Sequence, residues 1–270
     1  MKNILYILLL FALKVNCQIT QKLITKDLII NIRGQSNCAG KAGGIGDSPP
    51  PSYFVPINSK VKIWSTLSQT FEVLSAGVNS NQPTTNSTNA GEYGVETNLS
   101  YKLYNLLKSN IYVIKYGTDG TAISSWDFTL QSYNSYNQIG AANLQKEYAL
   151  DKLNNKTAKE LCSIWIQGES DATNTTDAGN YQTNLTAFIN ASRAYNKNNI
   201  PFIMVMPSDA VSWWPYRSTV VTAMNNIAAT LPNCYVVNTN GLSLLDGRHY
   251  NSAGVENIAQ QIYAILLNQL

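Results

Sequence analysis

The sequence predicts an α/β protein in which a parallel sheet is covered by helices on both faces. Three observations carry this. Short β-branched runs recur along the 270 residues, segments with helical spacing lie between them, and polar turns follow several of the runs.

The strand-like runs, in order, are DLIINI (27–32), VKIW (61–64), IYVIKY (111–116), ELCSIWI (160–166), PFIMVM (201–206) and CYVVN (234–238). Continuous apolar runs of this length suit strands buried on both faces. Helical spacing appears in ETNLSYKLYNLLKS, where Leu99, Leu103, Leu106 and Leu107 share a face, and in NYQTNLTAFINASRAY, through Tyr181, Leu185, Phe188 and Ile189. YRSTVVTAMNNIAATL and the final SAGVENIAQQIYAILLNQL behave the same way. The segment from Asp47 to Asn89, rich in Pro, Ser, Thr and Asn, reads as an excursion carrying a small strand or two near the mouth of a site.

In folds of this kind ligands sit at the C-terminal ends of the strands, so the residues just after each strand hold the candidate chemistry. Gly34-Gln35-Ser36-Asn37 follows the first run, Gly117-Thr118-Asp119-Gly120-Thr121 and then Trp126 the third, and Gln167-Gly168-Glu169-Ser170-Asp171 the fourth. Asp246-Gly247-Arg248-His249 follows the last. A serine nucleophile at Ser36 needs a base that works near neutral pH, and His249 is the single histidine in the chain. Asp246, three residues earlier, can orient the imidazole from the same loop; Glu169, at a strand end, can reach it from a neighbouring one. The turn is not the G-x-S-x-G elbow, because Cys38 occupies its last position.

Composition narrows the partners. The formal charge is +3, and without Lys2 and Lys14 it is +1, with no dense Lys/Arg cluster. A nucleic-acid partner or an anionic membrane surface is therefore not expected. The start, MKNILYILLLFALKVNCQ, has the pattern of a secretory signal peptide, with cleavage near Gln18 and a lipid anchor at Cys17 as the competing reading. Its apolar stretch is too short for a membrane span of about 20 residues. Residues 18–270 are then expected to form one domain, secreted or periplasmic. Three cysteines remain, Cys38, Cys162 and Cys234, an odd number with no C-x-x-C pair. With one histidine besides, no metal site and no cofactor is expected.

Four ordered segments, IRGQSNCAG (32–40), GVE (94–96), WIQGESDA (165–172) and DGRHYNSAG (246–254), resemble the SGNH hydrolases. They are most similar to the branch of sialate O-acetylesterases and family 6 carbohydrate esterases, which includes acetylxylan esterases. KYGTDGTAISSW (115–126) also resembles that branch. The resemblance implies a flavodoxin-like three-layer α/β/α domain that removes O-acetyl groups from carbohydrates through an acyl-enzyme. It implies Ser36 as nucleophile, His249 as base and then acid, and an oxyanion hole made by the backbone N–H groups of Ser36 and Gly94 with the Gln167 side-chain amide. Gln35, Trp126 and Arg248 are candidate sugar contacts, against a core tryptophan and a solvated arginine as the plainer readings. The competing functions are an esterase or thioesterase on non-sugar acyl groups, and a carbohydrate-binding relative without catalysis.

Overall fold

The computed structural model describes residues 27–50, 59–80, 91–127, 138–153 and 158–270; the N-terminal segment read as a secretion signal lies outside the described residues. Among the described residues seven strands form one sheet: β1 (Leu28–Gly34), β2 (Val61–Ser65), β3 (Thr70–Val73), β4 (Ile111–Gly117), β5 (Lys159–Ile166), β6 (Phe202–Val205) and β7 (Cys234–Val237). Their spatial order is β3-β2-β4-β1-β5-β6-β7. All neighbours are parallel except β3, which pairs antiparallel with β2. The five strands β4-β1-β5-β6-β7 have the flavodoxin-like order 2-1-3-4-5, and the β2–β3 hairpin from the excursion extends the β4 edge.

Among the described residues six α-helices accompany the sheet: α1 (Ser36–Ala39), α2 (Val95–Leu107), α3 (Gln138–Lys152), α4 (Thr175–Asn196), α5 (Arg217–Thr230) and α6 (Ser252–Leu267). Alternation along β1 shows why its run is continuously apolar. Leu28, Ile30 and Ile32 join the core under α2 and α6, while Ile29 turns to the opposite layer with Ile114, Trp64 and Ala149 of α3. In the same way Ile203 and Val205 face the α2 and α6 layer, and Phe202 and Met204 pack with Tyr181, Phe188 and Met224 of α4 and α5. Both faces of the sheet are thus sealed, as the strand runs predict. Among the described residues no helix is long and apolar enough to cross a membrane.

Two details depart from expectation. Leu106 is 39% exposed; the buried stripe of α2 is Leu99, Leu103 and Leu107. The helix α3 carries almost no periodic apolar signal, because its buried positions are Ile139, Ala142, Lys146 and Ala149. The lysine there is buried because it meets Glu160, with both oxygens 2.8 Å from Nζ.

Candidate active site

The chain leaves β1 and β5 at the point where the strand order reverses, which is where an open parallel sheet forms its crevice. Gly34 sits at that point with φ +149°, and a Cβ on it would lie 1.9 Å from the Ile166 carbonyl oxygen. Only glycine lets β1 and β5 converge this closely before the turn. The Gln35 N–H then bonds the same carbonyl at 2.9 Å, and the Gln35 carbonyl accepts from Cys38 and Ala39, so Ser36 opens α1. Gly117 completes the support, since a Cβ there would strike the Ala39 nitrogen at 2.5 Å.

The Ser36 hydroxyl lies 2.9 Å from Nε2 of His249, and Nδ1 of His249 lies 2.7 Å from Oδ2 of Asp246. The other oxygen of Asp246 accepts the backbone N–H groups of Arg248 (3.1 Å) and His249 (2.9 Å). Partial burial opposes the Asp246 charge, but the hydrogen bonds from His249 and Arg248 outweigh it and hold this carboxyl below its ordinary range. An ionised Asp246 accepts Nδ1–H, which leaves Nε2 as the acceptor facing the serine hydroxyl. Cys38 is no rival nucleophile: it is fully buried, and burial drives its thiol pKa upward despite Lys115.

Ser36 and His249 open onto a cleft of about 420 Å³, with Gln35, Arg248, Glu169 and Asn37 on its walls. Glu169 is 4% exposed; its Oε1 accepts from Asn37 Nδ2 at 2.8 Å, and burial raises its pKa against that hydrogen bond. Of the two carboxylates, Asp246 touches His249 and Glu169 touches Asn37.

Three expected site residues point elsewhere. The Gly94 N–H donates to Oε1 of Glu96 at 2.9 Å, and Glu96 is paired with the buried Lys115 at 2.9 Å. Gln167 is fully buried; its amide nitrogen donates to the Thr121 carbonyl (3.0 Å) and to Asp171. Both groups are committed inside the fold, and neither lines the cleft. Trp126 is 1% exposed, edge-on to Trp165 and Tyr116, with its indole N–H on Thr121 Oγ1 at 3.2 Å. It is a core residue.

The cleft also holds two tryptophans and Thr173, which lie outside the turns singled out in the sequence, beside other residues of those turns. Trp213 and Trp214, from SWWPY after β6, form one wall, and Asp119, Gly120, Ser170 and Thr173 line others. Trp214 is buried and edge-on to the half-exposed Trp213, whose ring faces the Arg248 guanidinium at 5.4 Å. Trp213 lies in the loop that runs from the end of β6 at Val205 to α5, and that placement after a parallel strand was the available signal.

A doubly covered parallel sheet with serine, histidine and aspartate in hydrogen-bond contact at its switch point is the arrangement that can activate a serine hydroxyl as a nucleophile. Residues 26–268 match the family described as carbohydrate esterase, sialic acid-specific acetylesterase, and the chain belongs to that family, which makes it a carboxylic ester hydrolase of the carbohydrate O-acetylesterase kind. Its fold is similar to a protein from Arabidopsis thaliana (TM-score 0.72, 21% identity, 90% of this chain and 98% of that one). It is also similar to NanS (TM-score 0.65, 16% identity, 90% and 97%) and to a carbohydrate acetylesterase from Xanthomonas citri (TM-score 0.56, 18% identity, 87% and 55%). Comparison with curated proteins gives no match.

Proposed function

We propose that the protein is a secreted serine esterase that removes O-acetyl groups from carbohydrates of the sialate or acetylxylan type through an acetyl-enzyme. The observation that carries this reading is the continuous contact from Ser36 through His249 to Asp246 at the cleft. Ser36 Oγ attacks the acetyl carbonyl while His249 Nε2 takes its proton. The imidazolium, held by Asp246, returns that proton to the sugar oxygen as the C–O bond breaks, leaving acetyl on Ser36. Water then gives its proton to His249, attacks the acetyl carbon, and acetate leaves as Ser36 recovers its proton. The Ser36 backbone N–H, at the first turn of α1 where no intrahelical acceptor exists, is the oxyanion donor. Gln167 acts through its hold on Thr121, which supports the cleft wall at Asp119 and Gly120. Export rests on the lysine followed by an apolar stretch at the N-terminus, with residues 18–270 as the mature domain.

The test is acetate release by the wild type and Ser36→Ala from acetylated sialic acid, acetylated xylan and p-nitrophenyl esters of rising acyl length. Release from either glycan, lost in a folded Ser36→Ala protein, supports the reading. Hydrolysis of long acyl esters alone would turn it toward non-sugar substrates.

A further inference from the structure

We propose that Asn37 is the positioning residue that sets the distance between Ser36 and His249, and that Glu169 holds Asn37 in place. The proposal rests on the reading of those two residues as nucleophile and base. They lie 213 positions apart in the chain, and His249 is carried by a loop whose flanking Asp246, Gly247 and Arg248 are all exposed. Asp246 orders that loop from within but does not tie it to the sheet.

Asn37 supplies the tie. Its Oδ1 accepts the Tyr250 N–H at 3.1 Å, and its Nδ2 donates to the Arg248 carbonyl at 3.4 Å, so one side chain grips the backbone on both sides of His249. The same Nδ2 donates to Oε1 of Glu169 at 2.8 Å. Asn37 is 6% exposed and Glu169 4% exposed, and Glu169 lies just past the end of β5, after Gln167 and Gly168. Because Asn37 is the neighbour of Ser36, nucleophile and base are referred to one another through a single side chain anchored at a strand end. The job needs a donor and an acceptor on the same short group, which an amide has and a carboxylate lacks. The Tyr250 hydroxyl, bonded to the Met206 carbonyl at 3.0 Å, keeps the next residue anchored without Asn37. Loss of Asn37 should therefore shift His249 rather than unfold its loop.

The polarity of the Asn37–Glu169 bond gives a specific test with p-nitrophenyl acetate. Asn37→Asp sets a second carboxylate against that of Glu169 and should lower kcat about 100-fold, the scale of a catalytic group misplaced by about 1 Å, with little change in KM. Glu169→Gln keeps an amide oxygen for Asn37 and should lower kcat less than about tenfold. The double variant N37D/E169Q restores the contact with residue 169 as a donor–acceptor pair in reverse, leaves the Arg248 carbonyl without its donor, and should therefore recover about tenfold of the loss in N37D but not all of it. Asn37→Ala, which adds no charge, should lose kcat like N37D but gain nothing from Glu169→Gln, and it carries the test should N37D not fold. A folded Asn37→Ala with kcat within about threefold of wild type, or a double variant no better than N37D, overturns the proposal. Activity that survives Ser36→Ala in the same assay overturns the nucleophile reading and this proposal with it; inactive Ser36→Ala beside an indifferent Asn37→Ala overturns this proposal alone.

Discussion

Oδ2 of Asp246 meets Nδ1 of His249 at 2.7 Å, while Oδ1 is held by two backbone N–H groups of the same loop. The carboxylate is thereby fixed in angle as well as distance, and its charge favours the tautomer that faces Ser36. Asp246→Asn keeps the shape but can present an amide N–H to the ring, which selects the wrong tautomer. We expect kcat to fall by about three to four orders of magnitude, as in the serine-protease template. Glu169→Gln, which does not touch His249, should cost less than about tenfold. The two are compared by steady-state kinetics at matched thermal stability; a large loss in Glu169→Gln with Asp246→Asn nearly active reverses the assignment.

Asp171 makes a prediction about stability. Burial raises its pKa to about 6, against hydrogen bonds from Gln167 and the Ile123 N–H. A carboxyl raised on folding binds its proton more tightly in the folded state, so the folded chain gains stability as pH falls from about 6 towards 4. Asp171→Asn removes this pH dependence. The wild type should gain about 1–3 kcal/mol on the variant across that window, measured by urea unfolding at each pH. A constant difference between the two proteins would show that Asp171 does not titrate in that range.

Much of this architecture is readable in the sequence. The doubly buried strands show in the sequence because burial on both faces leaves no polar alternation to confuse them, as in β1. The hairpin strand β3 falls in the excursion expected to carry a small strand or two, but its place there does not show, since Thr70 to Val73 lie half-buried to exposed at an edge. The helix α3 was hidden because small residues and a paired lysine form its inner face. At the candidate site, the meeting of Ser36, His249 and Asp246 at one cleft was legible from local turns and spacing. Gly94 and Gln167 show the limit: a motif gives position, but the direction of an N–H depends on which acceptor is closer. For Gly94 that acceptor is Glu96; for Gln167 it is Thr121 and Asp171. Trp213 was missed because its place on the cleft comes from the loop between β6 and α5, which no periodicity describes.

Gly34 carries a packing prediction. Gly34→Ala would drive a Cβ into the Ile166 carbonyl, which belongs to the strand backbone and cannot rotate away. Separating β1 from β5 also breaks the Gln35 N–H bond to that carbonyl. The expected cost is about 3 kcal/mol or more, from overpacking and a lost backbone contact together. Chemical unfolding of Gly34→Ala checks this; a loss under about 1 kcal/mol would mean that the two strands separate freely at this point.

Trp213 should govern how the sugar is held. It is 51% exposed on the cleft wall, backed by the buried Trp214, and its ring faces the Arg248 guanidinium at 5.4 Å. A large apolar face left open beside polar groups is costly in water unless a ligand covers it, and the C–H face of a sugar ring fits an indole. Arg248 can then meet the oxygen-bearing edge of the same sugar. Trp213→Ala should raise KM for an acetylated sugar about tenfold, the value of one aromatic contact of about 1.4 kcal/mol, with kcat little changed. The same variant should hydrolyse p-nitrophenyl acetate normally, because that substrate has no sugar ring to stack. Trp213→Phe should retain most of the affinity. Equal losses on both substrates would place the effect in the catalytic geometry instead, and an unchanged KM for the sugar would remove Trp213 from its recognition.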